Sequence, residues 1–328
     1  MKLVIGGAGF VGSWVVQKLR DKEEDVRVLD RNNRPEFIDA SVEYIKGDAC
    51  KTKNLKSALQ DVETVYLVAG QTGVGESIEN PQKFYRDNVR PAELLTKISD
   101  NFPVKNLVYS SAVRVYGEGK YECRKCGLKY PMERNISKLQ ENVWNFACNC
   151  GNELKPVPVK ENDPVNPRTP YSRSKLYSEY YLRDSLSKNI NLKILRYPLV
   201  YGPRHKGAVN YFFSTVLEGK SPKLFEDGKQ LRNFTYVEDV AETTIKSPDK
   251  KESIYNIGHT KSLTLERFNE KLMELADREI SLNVSKEFRP HDIRNSVIDT
   301  TRFHEDYNLE LTSHKDAIKK TLRYHIKG

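Results

Sequence analysis

Two groups of residues in this chain have types and spacings suited to redox chemistry. The first is Gly6-Gly7-Ala8-Gly9-Phe10-Val11-Gly12, a G-x-x-G-x-x-G pattern that follows a short apolar run and opens a helical one. Glycines there allow a tight turn and close backbone approach, and the helix N-terminus offers free N–H groups to a pyrophosphate. Asp30 ends the second apolar run, 18 residues beyond Gly12. A carboxylate there accepts hydrogen bonds from adenosine ribose hydroxyls and repels a 2′-phosphate, which favours NAD over NADP. Arg31 beside it would suit a 2′-phosphate and works against that preference. The second group is Tyr171 and Lys175, four residues apart and so on one face of a helix. A free tyrosine, with a pKa of about 10, is a poor base at neutral pH. An adjacent ammonium and a nicotinamide cation would both favour the phenolate, which could then take a hydroxyl proton while a hydride leaves to NAD+. Taken alone, a Tyr-x-x-x-Lys spacing equally describes a solvated helical pair. The glycine loop gives it meaning.

A third group points to metal. Cys123-Arg124-Lys125-Cys126-Gly127 is followed, after 21 residues, by Cys148-Asn149-Cys150-Gly151. Two such turns facing each other make a tetrahedral four-thiolate site for Zn2+, structural because its coordination shell is closed. Disulfides, a redox pair or another thiolate-bound metal are the alternatives. Cys50 stands alone and reads as a small buried filler.

The elements that must position these groups alternate strand and helix. Strands are predicted at Lys2–Ile5, Asp25–Asp30, Val42–Lys46, Val62–Val68 and Val104–Ser110, with helices at Phe10–Arg20, Leu55–Gln60 and Phe84–Asp100. This pattern implies a parallel sheet covered on both faces, the doubly wound Rossmann topology of the α/β class. Residues 118–160 break the pattern with cysteines, Gly, Asn, Pro and charges, and read as a zinc-ribbon-like insertion with one short helix near Ile136–Phe146. The insertion has too few apolar residues to order itself, so a metal would supply folding energy. A helix at Tyr171–Ser187 and a strand at Leu192–Tyr197 resume the pattern; further helices fit Val209–Leu217, Leu265–Ala276 and His314–His325. The expected division is an NAD-binding domain over 1–198 and a smaller mixed α/β substrate domain over 199–328, with 233–257 returning to the main sheet.

Bulk properties narrow the class. The 328 residues carry 54 Lys and Arg against 45 Asp and Glu, a formal charge of +9. The two signs are interleaved along the chain, which suits a solvated surface better than a nucleic-acid or membrane-binding stripe. No run of about 18 apolar residues exists to span a bilayer. A glycine loop this close to Met1 would not survive removal of a signal peptide, so a cytoplasmic protein is expected.

The chain resembles the extended short-chain dehydrogenases/reductases of the nucleotide-sugar epimerase/dehydratase group. The resemblance rests on the glycine loop, Asp30, Gly47-Asp48, Val68-Ala69-Gly70, Asn88, Leu107–Ser111 leading to Val115-Tyr116-Gly117, Tyr171 with Lys175, Arg196–Arg204, Gly228–Val240, Tyr255–Gly258 and Arg289–Asp292. It implies that Asp48 and Ala49 lie by the adenine. Val68, Ala69, Gly70, Asn88, Tyr197 and Pro198 would line the cofactor with Gly6, Gly9, Phe10, Val11 and Gly12. It further implies that Tyr171 is the acid/base, that Lys175 binds the nicotinamide ribose, and that Arg232 and Arg289 hold the substrate diphosphate. A homodimer would pair the helices near 84–100 and 171–187. Three positions depart from the pattern. Ala112 stands where a Ser or Thr is usual, with Ser111 as the candidate replacement. Val113 and Arg114 replace the acidic pair of the dehydratases, which argues against 4,6-dehydration. Leu199 replaces an Asn that helps hold the nucleotide diphosphate.

The expected activity is NAD-dependent epimerisation of a nucleotide-diphosphate sugar: oxidation to a keto-sugar, rotation in the pocket, and hydride return to the other face. Two other readings stand beside it. One is an NAD(P)-dependent sugar reductase or dehydrogenase with net turnover. The other, motivated by Ala112 and Leu199, is a catalytically weak NAD-binding sensor or scaffold.

Overall fold

The computed structural model describes residues 1–327. In chain order its first half comprises β1 (Lys2–Ile5), α1 (Phe10–Arg20), β2 (Val26–Asp30), β3 (Glu43–Lys46), α2 (Thr52–Ala58), β4 (Thr64–Leu67), α3 (Val74–Glu79), α4 (Pro81–Ile98) and β5 (Asn106–Ala112). A small excursion follows, with β6 (Lys120–Cys123), β7 (Gly127–Lys129), α5 (Ile136–Gln140) and β8 (Lys155–Val157). Then come α6 (Pro170–Ser185), β9 (Asn191–Tyr197), β10 (Leu199–Tyr201), α7 (Ala208–Leu217), β11 (Lys223–Leu224), β12 (Leu231–Arg232), β13 (Phe234–Tyr236), α8 (Val237–Lys246) and β14 (Ile254–Asn256). The chain ends with β15 (Leu263–Thr264), α9 (Leu265–Leu275), β16 (Asn283–Val284), α10 (Thr301–Tyr307) and α11 (His314–Lys327).

The central sheet has seven strands in the order β14-β9-β5-β4-β1-β2-β3, all parallel. The order reverses between β1 and β4, the place where a doubly wound sheet opens a crevice at its strand ends. Fully buried runs such as Val26–Asp30 and Thr64–Leu67 follow from burial on both faces. Helices α4 and α6 cover one face through Leu94, Leu95 and Leu182. Helix α1 covers the other with Val15, Val16 and Leu19, against Val240 and Ala241 of α8. A third core centres on Tyr201, Phe213, Phe234 and Phe268, with Phe234 and Phe268 stacked at 4.0 Å between ring centroids.

The excursion is more regular than its sequence. β6 pairs antiparallel with both β7 and β8, making a three-stranded ribbon. Its strands are too short to show alternation. The helix expected over 136–146 stops at Gln140, because Asn142 adopts a left-handed φ of 61° that ends the turn.

One buried ion pair fastens α6 to the sheet. Glu179 is fully buried, and its Oε2 lies 2.7 Å from Nη2 of Arg196 on β9. The same guanidinium donates to Tyr116 Oη at 2.6 Å and to the Glu161 carbonyl at 3.1 Å. Removing one partner of such a pair leaves an uncompensated buried charge. Glu179→Ala is therefore expected to lower the unfolding free energy in urea by about 3–5 kcal/mol. A loss below about 1 kcal/mol would mean that Tyr116 and Glu161 satisfy Arg196 by themselves.

Candidate functional site

The glycine loop packs as its spacing requires. Gly6 has a φ of +90°, and a Cβ there would lie 2.6 Å from the backbone of Ala69. A Cβ on Gly12 would lie 2.1 Å from the Gly6 carbonyl oxygen. Gly9 differs, since its Cβ would meet only the Gly6 carbonyl, at 3.2 Å. It caps α1 without a side-chain acceptor, and the first turn holds no acidic residue. The N–H groups of Phe10 and Val11 thus open onto a cradle suited to a diphosphate.

Asp30 is buried and turned to this loop: its Oδ2 accepts from Ala8 N at 3.0 Å, and its Oδ1 from Asn32 N at 2.9 Å. Arg31 does not stand free for a 2′-phosphate. Its Nη1 donates to Asp87 at 2.9 Å, and its Nη2 lies 3.7 Å from Asp48. Burial works against ionised Asp87, but donors from Arg31, Gln71 and Arg86 hold its carboxyl below the usual range. Asp48 also accepts from Cys50 N, and Ala49 packs on the α4-side core. Cys50 itself is only half-buried, not the enclosed filler expected.

At the crevice the chain brings β4, α4 and α6 together. A Cβ on Gly70, after Val68 and Ala69, would meet Asn88 Oδ1 at 2.7 Å and Lys175 Nζ at 3.3 Å. Asn88 accepts from Gln71 N at 2.6 Å and donates to Ser174 Oγ at 2.8 Å. Thr169 and Ser172 form a capping box that sets the start of α6. Lys175 is buried, and its Nζ donates to the Ser110 carbonyl at 2.7 Å. Burial pulls its ammonium down to about 8, with Glu179 opposing. Tyr171 is half-buried, its ring edge-on to Phe84 at 6.3 Å. Burial pushes its phenol up, opposed by the Arg114 guanidinium.

Several expected residues are placed otherwise. Ser111 does not point where a side chain on Ala112 would. Its hydroxyl donates to Glu179, two turns of α6 beyond Tyr171. The reason is register: β5 pairs without a bulge with β9, setting Ser111 opposite Arg196 and Ala112 opposite Tyr197. Adjacent strand residues face opposite sides, so no bend exchanges the two. The Tyr197 hydroxyl is engaged with Thr244 at 2.6 Å, leaving the Tyr197–Pro198 backbone as the part able to border a cofactor. Arg232 is buried and donates to the carbonyls of Leu231, Ile293 and Arg294 at 2.8, 2.8 and 3.1 Å. Arg289 is exposed, its guanidinium 4.3 Å above the Phe225 ring. The two arginines implied for the diphosphate are thus in unlike settings.

Further charged groups gather here, among them Glu118, Arg134 and Arg294, which the sequence does not single out. Asp292 accepts from Arg114 Nη2 at 3.1 Å and lies 3.5 Å from Arg232 Nη2. Although burial disfavours its charge, Arg232 and Arg114 hold its carboxyl down at about 2. Glu118 accepts from Arg294 N at 2.8 Å and lies 3.7 Å from Arg134 Nε. Burial pushes the Glu118 carboxyl up to about 7, and Arg134 opposes this only in part. Charged residues scattered from 114 to 294 show no common spacing, so only the fold reveals the cluster. The four cysteine sulfurs, in contrast, converge as their spacing suggests, all within 4.8 Å of one another.

A dinucleotide cradle, a reversed strand order and a Tyr–Lys pair at the crevice define an extended short-chain dehydrogenase/reductase. The chain belongs to the NAD dependent epimerase/dehydratase family, which it matches over residues 2–135 and 147–258. It is 32% identical over 276 residues to a Methanocaldococcus jannaschii protein provisionally named a UDP-glucose 4-epimerase, covering 81% of this chain and 79% of the other. It is 28% identical to the dTDP-L-rhamnose 4-epimerase of Burkholderia thailandensis, covering 78% and 76%. Among solved structures, the Thermotoga maritima UDP-glucose 4-epimerase with UDP-glucose superposes with a TM-score of 0.82 at 25% identity, covering 99% and 98%. None of the described helices is long and apolar enough to cross a membrane.

Two outcomes follow from this geometry. Gly12→Ala cannot be accommodated beside Gly6, so calorimetric titration with NAD+ should show affinity reduced by at least roughly a hundredfold, an estimate from the cradle's need for close backbone approach. Undiminished affinity would mean that the loop does not hold the diphosphate. Glu118 makes the second. Its folded-state pKa lies above that of an ordinary glutamate, so the stability it confers is complete at low pH and lost as pH rises through about 7. Glu118→Gln stays uncharged and should out-stabilise the parent in urea at about pH 8 by roughly 3 kcal/mol, the gap closing toward about pH 5. A gap that does not vary with pH would mean that Glu118 stays ionised throughout.

Proposed function

We propose that this protein is an NAD-dependent epimerase of a nucleotide-diphosphate sugar. The observation that carries the reading is Tyr171 and Lys175 on one face of α6, at the rim formed by Gly70 and Asn88. Likeness to named 4-epimerases along nearly the whole chain supports it, and makes C4 of a hexose the favoured centre.

The residues fit NAD. Gly6, Gly9 and Gly12, with the first N–H groups of α1, would hold the diphosphate, and Asp30 the adenosine ribose. With Arg31 bound to Asp87, nothing on β2 is left to favour a 2′-phosphate. Bound NAD supplies a hydride acceptor that becomes the donor for the return step. Tyr171 would take the proton of the sugar hydroxyl on oxidation and give it back on reduction at the opposite face, so no net redox would occur. Arg114 is the positive side chain that favours its phenolate form, and Lys175 would orient the nicotinamide ribose from one turn below. Arg232, Arg289 and the segment around Asp292 would meet the substrate phosphates. With Val113 and Arg114 in place of an acidic pair, β-elimination of water lacks its acid and base.

We also infer that Cys123, Cys126, Cys148 and Cys150 bind one structural Zn2+. Zn–S bonds of about 2.3 Å place tetrahedral sulfurs about 3.8 Å apart, a spacing their present gathering accommodates. Backbone N–H groups of Lys125 and Cys126 hold the Cys123 thiol down, toward the thiolate a metal needs. The neighbouring cysteines push the Cys126 thiol up, as in a cluster that shares its protons until a metal displaces them; four free thiols fit a reducing, cytoplasmic setting. A homodimer through the outer faces of α4 and α6, where Tyr177, Tyr180 and Tyr181 are exposed, completes the proposal.

The first measurement is NMR of sugars after incubation with NAD+ and a panel of UDP-, dTDP- and GDP-sugars. An inverted sugar is expected without net NADH. Tyr171→Phe should slow turnover by roughly a hundred- to ten-thousandfold. One specific feature favours a second reading: with Ala112 bare and Ser111 engaged by Glu179, no strand hydroxyl assists Tyr171. NAD binding without conversion of any sugar would establish the weak sensor instead, and stoichiometric NADH would establish the dehydrogenase. Metal analysis should find one zinc per chain, lost in Cys126→Ser; its absence from protein purified without chelator would overturn the metal reading.

A further inference from the structure

Residues 288–296 carry Asp292 and provide the Ile293 and Arg294 carbonyls that seat Arg232. Apart from an isolated bridge between Asn295 and Leu231, this stretch has no regular secondary structure of its own. The ribbon supplies several of the contacts that fix its position. Arg134, between the two cysteine pairs, is buried and donates to the Asp292 carbonyl at 2.9 Å. The same guanidinium lies 2.7 Å from Glu226. Arg294 Nε donates to Asn145 Oδ1 at 2.9 Å, and its Nη atoms reach Glu226 and Asp227 at 2.7–2.9 Å. Asn295 donates to Tyr121 Oη at 3.2 Å, and Trp144 packs against Phe288 at 6.3 Å.

These contacts lead back to the cysteines. Tyr121 and Phe146 share a small core with Cys123, with Cys148 packed against it, and their rings meet edge-on at 5.2 Å. Asn145 and Trp144 directly precede Phe146. A ribbon with so small a core depends on its cross-link for a fixed shape. An arginine that ends on a carbonyl and a buried glutamate transmits that shape, because neither partner can be left unpaired at low cost.

We propose that Arg134 and Asn145, held by the four-cysteine centre, are positioning residues that fix segment 288–296 in the geometry needed to receive the phosphates of a nucleotide sugar. The ribbon is thereby a brace of the substrate cleft that leaves the dinucleotide cradle alone. This rests on the nucleotide-sugar reading and on the metal reading above.

The test compares full-length, metal-replete parent with Arg134→Met, Asn145→Ala and Cys126→Ser. UDP and dTDP titrations are run by calorimetry beside the epimerase assay, so that binding is read even without turnover. Expected are a nucleotide Kd and a sugar KM raised by roughly ten- to a hundredfold in Arg134→Met and less in Asn145→Ala, the scale of misplacement by a remote change. NAD+ affinity and kcat should stay within roughly twofold, since neither side chain touches the cradle or Tyr171. Asn145 is exposed and its loss leaves no buried charge, so it reports on the brace if Arg134→Met proves unstable. Unchanged nucleotide Kd in folded Arg134→Met and Asn145→Ala, or an equal loss of NAD+ affinity, would overturn the proposal. A raised Kd in both, in protein that contains no metal, would uphold the brace and remove only the zinc.

Discussion

Helix α6 can sit at only one height against the central sheet, because Glu179 must meet Arg196. Tyr171, Lys175 and Glu179 follow one another at intervals of four and lie along one face of the helix. Glu179 is gripped by Arg196 and Ser111 from adjacent strands held in strict register. Lys175, one turn up, then falls on the Ser110 carbonyl, and Tyr171, another turn up, reaches the mouth of the crevice. The Tyr171 phenol is thus placed by an ion pair roughly 12 Å of helix away. Tyr116, which also leans on Arg196, ties the loop after β5 to the same anchor.

The substrate side is organised differently. There most positive side chains already have partners, Arg114 and Arg232 on Asp292, Arg134 on Glu226, and Arg294 on Asp227, while Arg289 stands exposed over Phe225. Such a cluster does not behave as an open cationic funnel. If the proposed substrate phosphates bind here, they would exchange with a carboxylate or carbonyl, and selectivity would come from geometry more than from net charge. The cofactor side offers instead neutral N–H groups and one carboxylate, with Arg31 withdrawn to Asp87.

What can be read from sequence is whatever is local. The glycine cradle, Asp30, the Tyr–Lys pair and the cysteine quartet are encoded in short spacings, and the alternation of apolar strands with helices implies the parallel sheet. Residues whose setting depends on distant partners are not legible in this way. Ser111 reads as a neighbour of Tyr171, but its direction is decided by pairing with β9, more than eighty residues away. Arg232 is a phosphate ligand only by what the family resemblance implies; carbonyls from residues 293 and 294 decide its surroundings. Arg114, Glu118 and Arg134 carry no periodic signal at all, and the ribbon strands, three or four residues long, are too brief to show alternation.

The ribbon enters and leaves the parent fold at one point, for Lys120 pairs directly with Val157. A segment whose two ends lie side by side can be gained between a strand and a helix without stretching either. Its later loss is another matter. Glu118 and Glu226 are buried carboxylates outside the ribbon strands, and Arg134, within the ribbon segment, is paired with both. Without Arg134, Glu226 would lose this partner, and Glu118 would be pushed further toward its neutral form. The ribbon is thus simple to accommodate at its ends and costly to remove at its centre, and a single arginine makes the difference.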